Sequence, residues 1–215
     1  MTHLIFTRFN VGLFNRNNFD MKAWTTHRRN LFEKYCLPSL QNQTSKKFKW
    51  FLFYDNSDND IKDYGFESVK VTDVNYEKAI ERITRDHYDG KGMLITTRLD
   101  NDDMFHKEFV EKTQEVIKQL NPKGILGLNF PYGYCYQHGS GKKTMIGPDL
   151  GTTFISVASW ERYVTVHNWP NTKIPHAIPT VQYGKKPMWA RIIHDKNLSN
   201  VMEGVPTSDS MEGFF

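Results

Sequence analysis

The chain has 215 residues, 39% hydrophobic and 24% charged, with a formal net charge of +4. That length suits one domain whose core needs no disulfide or structural metal. The charge excess is small and its densest runs are pairs (Lys46-Lys47, Lys142-Lys143, Lys185-Lys186), so no nucleic-acid partner is indicated, and no apolar run is long enough to span a bilayer.

Cys36 and Cys135 lie far apart with no metal-ligand spacing and read as reduced structural residues. No apolar signal core precedes the first strand-like segment, so a soluble, cytoplasmic protein is expected.

In chain order, Leu4 to Phe9 reads as a strand, and the Asn-rich stretch Asn10 to Asp20 as an irregular loop. Leu31, Phe32, Tyr35, Cys36 and Leu40 fall at helical spacing, which predicts a helix over Thr25 to Leu40 with Thr25 or Thr26 as N-cap. Trp50 to Tyr54 is a continuous apolar run, the mark of a strand covered on both faces, and it ends in Asp55-Asn56-Ser57-Asp58. A short strand at Val69 to Val71 and a helix over Tyr76 to Asp86 follow. The strand Met93 to Arg98 comes next, then a helix over His106 to Leu120, stopped by Asn121-Pro122-Lys123-Gly124. This alternation predicts an α/β fold with a mostly parallel central sheet and helices on both faces. Beyond residue 130 the pattern changes. Tyr132 to Tyr136 and Lys143 to Ile146 predict a β-hairpin, Thr152 to Ser156 a strand, Ala158 to Tyr163 a helix, and Met188 to His194 a last strand.

The chemistry concentrates at two strand ends. Asp55 follows one strand, and Asp100, Asp102 and Asp103 follow another. In a parallel sheet both ends face one crevice, where open α/β folds bind ligands. Carboxylates this close repel one another unless a cation sits among them or they face water. A hard divalent ion such as Mg2+ or Mn2+ takes one or two carboxylates plus phosphate oxygens, and so suits a nucleotide-linked donor whose diphosphate leaves. A calcium loop from Asp55 is excluded, because Asp60 stands at its sixth place and Phe66 at its twelfth.

The segment Leu31 to Asp60 and the run Arg98-Leu99-Asp100-Asn101-Asp102-Asp103 resemble the opening and the "DxD" motif of glycosyltransferases of the GT-A fold. Thr7-Arg8-Phe9-Asn10, Trp50 to Asp55, Thr97 to Asp103 and Trp189 to Asn200, in that order, resemble the family called putative rhamnosyltransferases. The resemblance implies a single GT-A-like domain over 1–215, with a nucleotide-binding half (1–130) and an acceptor half with its tail (131–215). It implies transfer of a sugar from a nucleotide-sugar donor to a carbohydrate acceptor, with Mn2+ or Mg2+ as cofactor. Asp55 would hydrogen-bond the base or ribose. Asp100 and Asp102 would hold the metal and donor with Asp103 nearby, and His194 would be a late metal ligand. Arg8 and Arg98 suit the diphosphate, because a guanidinium forks onto phosphate oxygens.

An inverting transfer needs a base for the acceptor hydroxyl. The Glu-Asp pair usual in such enzymes is missing, which leaves His176, Glu161 and Asp149 as alternatives. Tyr132, Tyr134, Tyr136, Trp160 and Trp169 are candidates for an acceptor groove or for packing. Two other readings share the sheet. A nucleotidyltransferase would want a Gly-rich loop where Phe9 to Arg16 holds one glycine. A non-catalytic carbohydrate-binding protein would explain the missing pair.

Overall fold

In β1 (Thr2–Arg8) five consecutive residues are buried. Leu4 and Phe6 belong to one hydrophobic cluster and Ile5 to another, so alternate side chains supply the two faces of one sheet. The computed structural model describes residues 1–12, 20–58, 62–197 and 201–215. Most of the loop expected from Asn10 to Asp20, the position Asp60 and the stretch Leu198 to Asn200 lie outside the described residues, as do the side chains of Met21 and Asn171.

The first helical region begins earlier than its spacing predicts. α1 (Met21–Leu31) is capped by Asp20, whose Oδ1 accepts from the Ala23 N–H at 3.0 Å. Thr26 instead lies inside the helix and donates its hydroxyl to the Lys22 carbonyl. A π-helical turn, Phe32–Cys36, leads into α2 (Leu37–Gln41). Pro38 has no N–H for the preceding turn, and the wider turn accommodates that loss.

The chain continues through β2 (Lys49–Asp55), β3 (Glu67–Val71), α3 (Tyr76–His87), β4 (Met93–Arg98), β5 (Met104–Phe105) and α4 (Phe109–Leu120). Asn121, at φ 42°, closes α4 in the left-handed conformation typical of helix ends. Then come β6 (Ile125–Asn129), β7 (Gly133–Gln137), β8 (Lys143–Ile146), β9 (Ser156–Trp160), α5 (Ile174–Ala177), β10 (Thr180–Gln182), β11 (Trp189–Ile193) and β12 (Val205–Pro206).

Seven strands form the main sheet in the order β10-β6-β9-β4-β1-β2-β3, parallel except for β9. The π-helical turn, α2 and α4 cover one face through Phe32, Leu40, Phe109 and Ile117, and α3 and α5 cover the other through Ile80, Ile83 and Ile174. The mostly parallel sheet with helices on both faces is therefore present, and so is the hairpin, as β7 and β8. One expectation fails: Ala158 to Tyr163 is not a helix. Ser156 to Ser159 are small, buried and hydrogen-bonded into the sheet between β4 and β6. A short apolar run does not distinguish a buried strand from a helix by periodicity alone. Likewise, the strand expected at Thr152 to Ser156 starts only at Ser156.

A smaller sheet, β12-β8-β7-β11-β5, packs beside the first. Its core joins Leu31 and Tyr35 to Met104, Tyr134, Ile192 and Phe214. Among the described residues no helix is long and apolar enough to cross a membrane.

His3 carries a pH dependence. It is 2% exposed, its Nε2 meets Thr97 Oγ1 at 2.9 Å, and Gln114 donates to its Nδ1 at 3.3 Å. Burial pushes its pKa down to about 3. An unfolded histidine binds its proton near pH 6.5 while this one stays neutral, so native stability is full above that pH and falls as the medium is acidified. Acidifying from pH 6.5 to 5 is expected to cost about 2 kcal/mol through this residue. Urea titrations of the wild type and His3→Gln check it. An equal acid sensitivity in both would reject the assignment.

Candidate active site

β1, β2, β4 and β6 run the same way, so Arg8, Asp55, Arg98 and Asn129 reach one edge of the main sheet. Asp55 stands two strands from β4, about 10 Å at the usual strand spacing. Both of its oxygens already serve the fold. Oδ2 accepts from the Gly12 N–H at 3.2 Å and Oδ1 from the Ser57 N–H at 2.9 Å. Asn10 binds the Asp55 N–H and the Asp58 carboxylate, so the loops after β1 and β2 are clipped together. Asp55 thus organises the loops that follow β1 and β2.

After β4 the chain turns sharply, with the Asp103 N–H donating to the Asp100 carbonyl at 3.2 Å. It then enters β5 and so crosses from the large sheet to the small one. The three aspartates point into different surroundings. Asp103 is 1% exposed and accepts from the Ile192 N–H of β11 at 2.9 Å. Burial, then the charges of Asp102 and Asp100, raise its carboxyl well above the usual range. Asp102 is 4% exposed; its Oδ2 meets His194 Nε2 at 2.9 Å and forms an ion pair with Arg28. Burial alone would raise Asp102, but the His194 hydrogen bond and the Arg28 guanidinium outweigh it and hold the carboxyl below the usual range. Arg28 also donates to Asn101 Oδ1, while Asn101 Nδ2 donates to the Phe9 carbonyl.

Asp100 alone is exposed, and it opens to the crevice. Protein still surrounds it closely enough that lost hydration, followed by the Asp102 charge, raises its carboxyl above the ordinary range. The crevice holds about 460 Å³ and is lined by Arg8, Tyr76, Arg98, Asp100, His167 and Trp169 among others. Arg8 pairs with Asp73 at 2.7 Å, with both side chains about half exposed, so this contact is solvent-screened and easily exchanged for a ligand. Arg98 donates to His167 Nδ1 at 3.0 Å, and burial, then the two arginines, keep that imidazole neutral. A larger cavity, about 870 Å³, lies at the opposite edge between Met1, Met93, Ile117 and Trp160, rimmed by Lys46, Lys47, Glu111, Gln114, Glu115 and Lys118.

The expected metal set is divided. Asp100 faces the crevice, whereas Asp102 is turned inward by Arg28 and His194. His194 directs Nε2 at Asp102, with the Asn197 amide nitrogen 3.1 Å from the same ring nitrogen. Among the described residues, the three metal-ligating side chains that converge are His27, His194 and Asp195.

The base candidates separate by position. Glu161, at φ 52°, donates its N–H to Gly92 at the start of β4, on the wrong edge of the sheet. His176 is exposed on α5, and among the described residues no hydrogen bond or ion pair ties it to the acidic turn. Asp149 sits beyond the end of β6 on the crevice edge; Asn129 holds its carbonyl, and its Oδ1 accepts from the Gly151 N–H. Of the aromatic candidates, Trp169 lines the crevice, Tyr134 packs in the core of the small sheet, and Trp160 lies at the far edge beneath Lys123.

Arg28, Asn101 and His167 were not singled out in the sequence. For Arg28 a signal existed: it lies three and four positions before Leu31 and Phe32, so it continues the buried stripe of α1 as a charge.

No curated protein matches the chain. A crystal structure of S. aureus TarS (residues 1–349) is similar over 65% of this chain and 37% of that one, at 12% identity and a TM-score of 0.40. A "putative nucleotide-diphospho-sugar transferase" from Desulfovibrio desulfuricans G20 is similar over 85% of this chain and 80% of that one, at 8% identity and a TM-score of 0.38. The family described as "Putative rhamnosyl transferase" matches residues 16–60 and 62–205, so nearly the whole sheet and the acidic turn fall within it. The chain belongs to that family.

Proposed function

We propose that the protein moves a sugar from a nucleoside-diphosphate donor to an acceptor hydroxyl, with Mn2+ or Mg2+ as cofactor. One observation carries this reading: two guanidinium groups, Arg8 and Arg98, line the same crevice as the exposed carboxylate of Asp100. Arginines suit the phosphate oxygens, and an exposed carboxylate suits a divalent cation as a hard oxygen ligand. Asp100 would hold the ion from the crevice side, and Asp102, turned inward, would fix the turn that carries it. The ion, when bound, neutralises charge that develops on the departing diphosphate. Asp55, two strands away, is placed for the nucleoside.

Asp149 is the base we assign, because it alone of the three alternatives stands beyond a strand end on the crevice edge. A separate base acting on the acceptor in a single displacement inverts the anomeric centre. Asp149→Asn is expected to lower transfer about 10²–10³-fold with donor binding retained, by the usual weight of a general base. Full activity in that variant would reject the assignment.

The reading is tested by incubating the protein with a panel of nucleotide-sugars and Mn2+ or Mg2+. Release of nucleoside diphosphate supports it. Pyrophosphate release from a nucleoside triphosphate and a sugar phosphate would instead indicate a nucleotidyltransferase. Sugar binding without turnover would indicate a carbohydrate-binding protein.

A further inference from the structure

On the side of His194 away from Asp102 lies a second cavity, about 570 Å³, lined by His27, Gln137, His138, Ile193, His194 and Asp195. It shares no lining residue with the crevice, and the two ring nitrogens of His194 have different partners. Nε2 meets Asp102 at 2.9 Å, and Nδ1 meets Nε2 of His27 at 3.3 Å. Asp195 Oδ1 lies 3.7 Å from that same His27 nitrogen.

We propose that His27, His194 and Asp195 bind a transition-metal cation of the Zn2+ class, distinct from any ion held with the donor. Two imidazole nitrogens, each 2.0–2.1 Å from a tetrahedral zinc, stand about 3.3–3.4 Å apart. The observed separation is close to that value, so the two nitrogens can share an ion once the His27 Nε2 proton has moved to Nδ1 or been released. The tautomer is also set. The Lys196 N–H donates to His194 Nδ1 at 3.2 Å, which marks Nδ1 as the unprotonated nitrogen, and an ion would displace that bond; Nε2 faces Asp102 at 2.9 Å and the Asn197 amide nitrogen at 3.1 Å. A carboxylate bonded to the far nitrogen of a ligating histidine is the usual support behind a zinc ion, and Asp102 supplies it. The side chain of His194 is fully buried and that of His27 is 22% exposed, so one ligand is fixed by the core while the cavity keeps the site reachable. Two nitrogens and one carboxylate favour Zn2+, Co2+ or Ni2+ over Mg2+. The fourth position opens to the cavity beside His138, whose Nδ1 is engaged by the Tyr35 hydroxyl.

This proposal stands apart from the sugar-transfer reading and is tested without a donor. The full chain, untagged and stripped with chelator, is titrated with Zn2+ against a chromophoric competitor, and with Co2+ for the visible absorption of a tetrahedral ion. One ion per chain is expected, with tetrahedral Co2+ bands. His27→Ala is expected to weaken Zn2+ binding more than tenfold and to remove those bands while the circular dichroism is kept. Asp195→Asn should weaken binding as well, and Asp100→Asn should leave it unchanged. The proposal is overturned if the wild type takes up no stoichiometric Zn2+, if His27→Ala binds as tightly as the wild type, or if Asp100→Asn abolishes binding.

Discussion

Asp102→Ala is expected to destabilise the protein by about 3–5 kcal/mol, the cost of removing one partner from a buried ion pair. The side chains of Arg28 and Asp102 are 10% and 6% exposed. Without the carboxylate, Arg28 keeps, among the described residues, the Asn101 side-chain oxygen and the face of Trp24, and His194 loses the acceptor that fixes its ring. The loss should appear as a lower urea midpoint with an unchanged slope. Asp102→Asn, which keeps an acceptor oxygen of the same shape, should lose less. Combining Asp102→Asn with Arg28→Met should recover part of the loss, because the uncompensated charge is then gone. A change below about 1 kcal/mol for the alanine variant would mean that the pair contributes no more than a surface contact. An acidic motif read only as a ligand site predicts loss of binding in a folded protein. The geometry predicts loss of the fold's junction as well, because the turn carrying Asp102 is where the chain passes from the large sheet to the small one.

The layout of the large sheet was legible because its strands obey local rules. Trp50 to Tyr54 is apolar without a break and is buried on both faces, and the carboxylates after β2 and β4 mark where those strands stop. β9 was not legible. Its residues Ser156, Ala158 and Ser159 are small and carry no strong strand preference, and Val157 and Trp160 are too few to mark a strand by themselves. They lie in the sheet because β4 and β6 both hydrogen-bond to them, a long-range fact with no local trace. The small sheet was half legible: β7 and β8 follow from a Gly-containing turn, whereas β5 is two residues long and exists through its pairing with β11. The same limit applies at the site. Spacing showed three aspartates together but not that they face three ways. Arg28, His194 and Ile192, which decide those directions, arrive from α1 and β11, far along the chain.

Asp100→Asn is expected to lower sugar transfer about 10²–10³-fold while stability stays within about 0.5 kcal/mol. The two halves of that expectation have one cause. Asp100 is the exposed member of the cluster, so its side chain reaches solvent, and its charge sits close to Asp102 and Asp103 with no salt bridge of its own among the described residues. Removing the charge relieves repulsion that now raises the Asp103 carboxyl, so the folded state loses nothing. The crevice loses its one exposed aspartate beside Arg8 and Arg98, and with it the hard oxygen ligand a divalent cation would need. Steady-state transfer measured against Mn2+ concentration separates the effects. A metal ligand lost shows as a higher Mn2+ requirement as well as a lower maximal rate; a purely electrostatic neighbour lost shows as a lower rate at an unchanged requirement. Wild-type rates and an unchanged Mn2+ requirement in Asp100→Asn would remove Asp100 from the donor site altogether. The contrast with Asp102→Ala then locates the division of labour on one turn, with the outward carboxylate acting on the ligand and the inward one on the protein.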